Sequence, residues 1–177
     1  MNLYIKFFVL VLKRLLVKKR QSLYDVCKTS FRVSVFDLDL NFHMNNGKFF
    51  SVMDLGRFDL LMKTGHFFRL LRNGYYPVVL SESMVFKKSL NWLNGYQIHT
   101  QIDSWDERFF YLTQKFMIGD SIVASANVRA CFKKRGRKGI VKPQEIFEFG
   151  GEEYRPSELS EIAKRQVSLD EALLPKK

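Results

Sequence analysis

The spacing of apolar residues changes period along the chain. Residues 28–36 (Lys-Thr-Ser-Phe-Arg-Val-Ser-Val-Phe) alternate, which predicts a strand. A loop follows through Asn45. From there Phe50, Met53, Arg57 and Leu60 or Leu61 recur at three and four, which predicts a helix from Asn46 to about Met62. Asn45 suits its N-cap, and Gly65 lies just beyond its end. A shorter helix is expected over His66–Arg72, stopped by Asn73-Gly74. After Pro77 the period switches to two. Strands are predicted at Val78–Leu90, Tyr96–Trp105, Phe109–Ile118 and Ser121–Lys133, with breakers at Asn94-Gly95, Asp106-Glu107 and Gly119-Asp120. In the last strand Ile122, Ala124, Ala126, Val128, Ala130 and Phe132 point one way. Ser125, Asn127, Arg129 and Lys133 point the other. The alanines leave room for a helix to approach the sheet closely, and Gly56 inside the helix fits the same need. A strand, a long helix and four strands on short turns make an α+β fold, an antiparallel sheet holding one helix.

The two ends carry other patterns. Residues 1–20 read as a basic helix, so segment 1–22 is set apart. At about 100° per residue, Lys6, Lys13 and Arg20 share one stripe, while Tyr4, Ile5, Phe8, Val11, Leu12, Leu15 and Leu16 spread over the other side. Lys6 and Lys13-Arg14 interrupt the apolar run, so neither a spanning helix nor a signal peptide is expected. Such a helix either lies in a membrane interface or packs on its own domain or a partner subunit. The domain proper is 23–142. The tail, 143–177, lacks a core pattern and is expected to carry short surface helices around Glu145–Phe149 and Ser157–Gln166.

At 177 residues the chain suits one domain with tails. Its 46% apolar content, with 17 Phe, supplies a core or an apolar groove and excludes disorder. The net charge of +11 gathers in two stretches: Lys6, Lys13, Arg14, Lys18, Lys19 and Arg20, then Lys133, Lys134, Arg135, Arg137, Lys138 and Lys142. Such stretches attract nucleic acid, anionic lipid or phosphorylated small molecules, or simply solvate the surface. Charge alone argues for nucleic acid, and no binding motif accompanies it, so no nucleic-acid partner is expected. Cys27 and Cys131 make no disulfide framework, which suits a reducing, cytoplasmic location; Cys131 reads as a small buried hydrophobe. His66 and His99 read as surface residues. No metal-ligand spacing occurs, and no metal or cofactor is expected.

The chemistry concentrates in Val35-Phe-Asp-Leu-Asp-Leu-Asn-Phe-His-Met-Asn-Asn-Gly-Lys-Phe-Phe-Ser-Val-Met-Asp-Leu-Gly-Arg57. It leaves a strand, crosses a loop with a carboxylate and a histidine, and opens a helix. A helix start offers unpaired N–H groups and a partial positive charge. A carbonyl oxygen placed at Asn46-Gly47 would be polarised as in an oxyanion hole. Asp39 would then act as nucleophile or as base for water. The duller readings are a turn or capping role for Asp39 and Asn45, loop-holding for His43, and an ion pair for Asp54 and Arg57.

This stretch resembles the 4-hydroxybenzoyl-CoA thioesterase-like branch of the hotdog superfamily. That branch reads Asp-x-x-x-His-x-Asn-Asn, then an aromatic, then an acid and an arginine on the helix. Here these are Asp39, His43, Asn45, Asn46, Phe49, Asp54 and Arg57. The basic N-terminus and Tyr76–Val79 add to a likeness covering about residues 1 to 142. One departure is Phe49, where the family usually has Tyr. The resemblance implies an antiparallel sheet wrapped around one central helix, and a homodimer or homotetramer with sites between subunits. It also implies hydrolysis of acyl-CoA, with His43 shaping the site and Asp54 as second choice of carboxylate. Lys87, Lys88, Arg129, Lys133 and Lys134 are the cations expected to hold CoA phosphates, and Phe42, Phe50 and neighbouring apolar residues to line the acyl pocket. The alternative is a non-catalytic hotdog protein that binds acyl chains or acts at a membrane. Partners are thus acyl-CoA, a second copy, and peripheral contact with an anionic membrane, at its inner face.

Overall fold

The computed structural model describes residues 3–16 and 21–174. Alternation at period two builds β1 (Cys27–Arg32), β2 (Tyr75–Phe86), β3 (Gly95–Trp105), β4 (Phe110–Ile118) and β5 (Ser121–Lys134). They form one antiparallel sheet in the order β1-β3-β4-β5-β2. The helices are α1 (Leu3–Leu16), α2 (Asn46–Lys63), α3 (His66–Arg72), α4 (Pro143–Gly150) and α5 (Glu161–Leu173). The long helix α2 lies on the sheet and buries Phe49, Val52, Met53, Gly56, Asp59 and Leu60. Close approach centres on Gly56, where a Cβ would stand 2.9 Å from both the Gln114 Nε2 and the Thr100 Oγ1. Gln114 is buried on β4. It donates to the Met53 carbonyl at 3.0 Å and to the Thr100 hydroxyl at 2.9 Å, so the polar groups under the helix satisfy one another.

Three local differences from the periodic reading have physical causes. The first strand stops at Arg32, because Val35–Asp37 winds into a 3-10 turn stapled by the Asp37 carboxylate. The second begins at Tyr75 and runs through Pro77, which an edge strand tolerates because no partner needs the missing N–H. In β5 the register jumps from Phe116↔Ala124 to Met117↔Ile122. Val123 is the extra residue of this bulge, and the skip reverses the faces: Val123 is buried and Ile122 is 36% exposed.

The tail is more than a surface appendage. Both of its helices form, but α4 sends Ile146 and Phe147 into the core, with Phe147 ring centroids 5.3 Å from Tyr24 and 4.9 Å from Trp105. Helix α5 covers the other face of the sheet. Its Ala163 packs with Phe109, Tyr111 and Cys131, so Cys131 is indeed buried. His66 is buried too, contrary to its surface reading; it sits under Gly150, where a Cβ would overlap its ring.

Helix α1 docks by its charged side. Lys6, only 3% exposed, pairs with Asp37 at 2.6 Å. Arg14 reaches Asp59, which is fully buried and also accepts from Thr29 at 2.6 Å. Burial works against the Asp37 charge, yet hydrogen bonds from Lys6 and Ser34, with the Lys6 charge, outweigh it and hold the carboxyl below its usual range. Lys6 and Arg14 are therefore internal cations rather than a lipid-facing stripe. Lys18, Lys19 and Arg20 lie outside the described residues. Among the described residues no helix is long and apolar enough to cross a membrane.

Gly56→Ala tests the close approach of α2. Alanine favours a helix, but its methyl meets Gln114 and Thr100, neither of which can retreat without breaking a buried hydrogen bond. The variant should lose about 1–3 kcal/mol of stability in urea unfolding. A gain in stability would mean that the helix does not lie this close.

Candidate active site

The loop between the 3-10 turn and α2 closes upon itself. The Asp39 N–H donates to the His43 carbonyl at 2.8 Å, and the Phe42 N–H to the Asp39 carbonyl at 3.1 Å. The Asp39 Oδ1 accepts the Asn41 N–H at 2.8 Å and the His43 N–H at 3.4 Å. Asp39 is thus a turn residue through one oxygen, while its Oδ2 has no hydrogen-bond partner among the described residues. Phe42 takes a φ of 59°, the left-handed region that a bulky residue adopts only when its surroundings impose it. Two further bonds anchor the loop: Met44 N–H to Leu90 at 2.7 Å and Asn45 N–H to Asp37 at 2.8 Å. Lys6 thus steadies the site indirectly, by holding Asp37.

Asn45 caps α2 as its position predicted, its Oδ1 accepting from Gly47 N–H at 2.8 Å. That bond occupies the Gly47 N–H, which is therefore not free to polarise a carbonyl. Of the Asn46-Gly47 pair, the Asn46 N–H is the donor left open. Gly47 leaves space there: a Cβ would crowd the capping oxygen at 3.2 Å.

An open pocket of about 290 Å³ lies at this end of α2. Its wall unites Asp39, His43, Asn46, Lys87 and Lys88, residues from the loop, the helix start and the end of β2. Lys87 and Lys88 are brought there by the β5 bulge: both backbone N–H groups donate to the Val123 carbonyl, at 2.8 and 3.0 Å. A carboxylate, two ammonium groups and a helix start converge, a field suited to an anionic ligand. Met44, Phe49, Phe86 and Ser89 complete the lining. Of the residues expected to line the acyl pocket with their apolar neighbours, Phe50 packs, half-buried, against the core, and its neighbour Phe49 faces this pocket. The Tyr expected at position 49 was the available signal. Phe42 points into solvent.

Other predicted cations stand apart within the chain. Arg129 is on the opposite face of the sheet, paired with Asp170 at 3.0 Å and set 4.0 Å from the Phe109 ring centroid. Lys133 and Lys134 pair with Tyr76 and Tyr75 at the far end of β2, roughly 35–40 Å from Lys87 at strand rise. Lys134 is engaged with Tyr75, and the neighbouring Arg137 with Glu145. Asp54 and Arg57 form the expected ion pair at 2.5 Å; Arg57 extends to Glu82 at 2.7 Å and Gln114 at 2.7 Å. Burial raises the Glu82 carboxyl above its ordinary value although Arg57 opposes the shift. This cluster borders a separate, more enclosed apolar cavity of about 110 Å³ under the middle of α2.

A family model described as the thioesterase-like superfamily matches residues 33–172. The chain belongs to this superfamily. The match runs from the end of β1 through most of α5, so the C-terminal helices lie within this thioesterase-like match. Protein THEM6 of Danio rerio is 32% identical over 120 residues, 67% of this chain and 56% of that protein. The chain spans about half the length of the curated relatives it matches. Among solved structures, YbaW of Escherichia coli, titled a probable thioesterase, superposes with a TM-score of 0.64 at 17% identity, covering 70% of this chain and 95% of YbaW. SAV2348 of Staphylococcus aureus, solved in complex with CoA, gives a TM-score of 0.64 at 11% identity over 81% of this chain and 96% of that one. The fold of this thioesterase-like chain is the hotdog: an antiparallel sheet around one long helix.

Asn45→Ala should cost about 1 kcal/mol in urea unfolding, the usual worth of an N-cap, while Asn45→Asp keeps an acceptor and most of the stability. Equal losses in both variants would show that the cap is not what the site residue supplies.

Proposed function

We propose that the chain hydrolyses acyl-CoA thioesters to a free acid and CoA. The observation that carries this reading is the open Oδ2 of Asp39 in a pocket shared with the α2 start, Lys87 and Lys88. The thioester carbonyl oxygen would sit at the Asn46 N–H, and the carbonyl carbon would face Asp39. As nucleophile, Asp39 attacks that carbon, the C–S bond breaks, and water then cleaves the mixed anhydride. As base, it takes a proton from the water that attacks directly. Either way CoA departs as a thiolate, which needs little acid help because a thiol such as cysteine has a pKa of about 8.5. Lys87 and Lys88 suit the CoA phosphates. His43 shapes the wall.

A second reading, acyl binding without turnover, draws support from the use of Asp39 Oδ1 by its own loop and from Phe49, which lacks the Tyr hydroxyl. Thiol release from a panel of acyl-CoAs separates the two. Asn at position 39 keeps the Oδ1 acceptor, so Asp39→Asn should stay folded yet lose roughly 10²-fold or more in kcat. Near-wild-type turnover in that variant would sink the role of Asp39. Single turnover in ¹⁸O-water gives a positive sign of the nucleophilic route: water attacking the Asp39 Cγ of the anhydride leaves label on Asp39, whereas the base route leaves it on the product acid alone.

The partners we propose beyond substrate are a second copy of the chain and an anionic membrane surface. Edge strand β2 leaves Val79, Leu80 and Val85 exposed, an apolar edge that invites pairing. Sedimentation at micromolar concentration should find a dimer or larger species; monomer alone would count against it.

A further inference from the structure

Helix α1 is mounted inside out. Its contact with the body runs through Lys6–Asp37 and Arg14–Asp59, with Leu3, Phe7 and Leu10 as its apolar footing. The Phe7 ring meets Phe58 and Phe67 at 5.6 and 6.3 Å. The apolar ridge of the helix points away: Tyr4 is 78% exposed, Ile5 51%, Phe8 62% and Leu12 45%. These positions fall on one stripe. A helix that served only to pack would turn this ridge inward, because water opposes its exposure. Instead, ion pairs to buried carboxylates fix it outward.

Two neighbours extend the surface. The Lys6–Asp37 pair brings the 3-10 turn alongside α1, and that turn exposes Val35 and Phe36. Between α1 and β1 runs an open groove of about 550 Å³, walled in part by Lys13, Lys28 and Arg32. No acidic partner meets these three side chains among the described residues. An apolar ridge beside unpaired cations, on a chain of net charge +11, is complementary to a surface that is apolar inside and anionic outside.

We infer that α1 and the α1–β1 groove form a docking face for an anionic lipid bilayer, the ridge entering the acyl boundary and the groove seating headgroup phosphates. This deepens the membrane partner proposed above, naming its docking face, and does not rest on the thioesterase reading. A second copy of the chain suits the face less well. Two-fold contact there would set the same cations against one another, and like charges across an interface select against pairing.

The test uses the full chain, because removing α1 would leave Asp37 buried without its cation and Asp59 with Lys63 alone. The protein is sedimented with vesicles of phosphatidylcholine, with and without phosphatidylglycerol. Binding should require phosphatidylglycerol and weaken with salt. Phe8→Ser with Leu12→Ser should lower partition roughly tenfold or more. Lys28→Glu with Arg32→Glu should lower it at least about tenfold. Ile5→Trp supplies a second readout that needs no loss of function: its emission should shift to the blue on anionic vesicles and be quenched by brominated acyl chains. Hydrolysis of a short, soluble acyl-CoA should be unchanged in all these variants, so failure here is distinct from failure of the enzymatic reading. Wild-type protein that ignores anionic vesicles at low salt, or binds neutral ones equally, overturns the inference. So does a Phe8→Ser, Leu12→Ser variant that changes oligomeric state but not lipid partition, which would assign the face to a second copy.

Discussion

The distance between α2 and the sheet governs the rest of the molecule. Gly56 lets the helix backbone settle onto Ile98, Thr100 and Gln114, and Gln114 returns a hydrogen bond to the Met53 carbonyl. Contact at mid-helix sets the height of both helix ends. At one end the Asn45 cap and the Asn46 N–H arrive beside the Asp39 loop and the last residues of β2. At the other, Asp59 reaches Thr29 on β1, and Arg14 of α1 completes its coordination. A small residue at one position thus couples the chemistry to the docking of the N-terminal helix.

Three charged side chains are buried among the described residues: Lys6, Asp37 and Asp59. Asp37 and Asp59 are buried anions that would be costly alone; each meets a cation from α1, and Asp59 also meets Lys63. The basic stretch around Lys134–Arg137 meets Glu145 and Tyr75 at the far end of β2. Arg129 ties α5 to the outer face through Asp170. Among the described cations without an ion pair, Lys87 and Lys88 line the Asp39 pocket, and Lys13, Lys28 and Arg32 line the groove beside α1. The first suits a phosphorylated substrate and the second a phosphate-bearing surface.

The loop at the pocket shows one residue serving two ends. Asp39 spends Oδ1 on its own turn, which fixes the carboxylate, and thereby presents Oδ2. Rigid placement of a carboxylate is worth more to a reaction than its freedom, because orientation is then settled before substrate arrives. The duller and the sharper readings of Asp39 are in this sense compatible.

The sequence by itself determined the fold class, the span of α2 and its cap at Asn45, three of the five strands within a residue, and the motif Asp39–Arg57. These follow from periodicity and local hydrogen bonding, which near neighbours decide. It also carried the superfamily resemblance, through residues close together in the chain. Tertiary structure alone decided the remainder. The bulge at Val123 reversed a face that strict alternation had assigned to Ile122. Phe49 rather than Phe50 met the pocket, because the helix is rotated by its contact at Gly56. Ile146, Phe147 and His66 became core residues through partners more than forty positions away. Lys6 and Arg14 turned inward because the carboxylates that claim them sit on the 3-10 turn and α2. Which side of an amphipathic helix faces its own protein depends on what waits there, and no pattern within the helix records that.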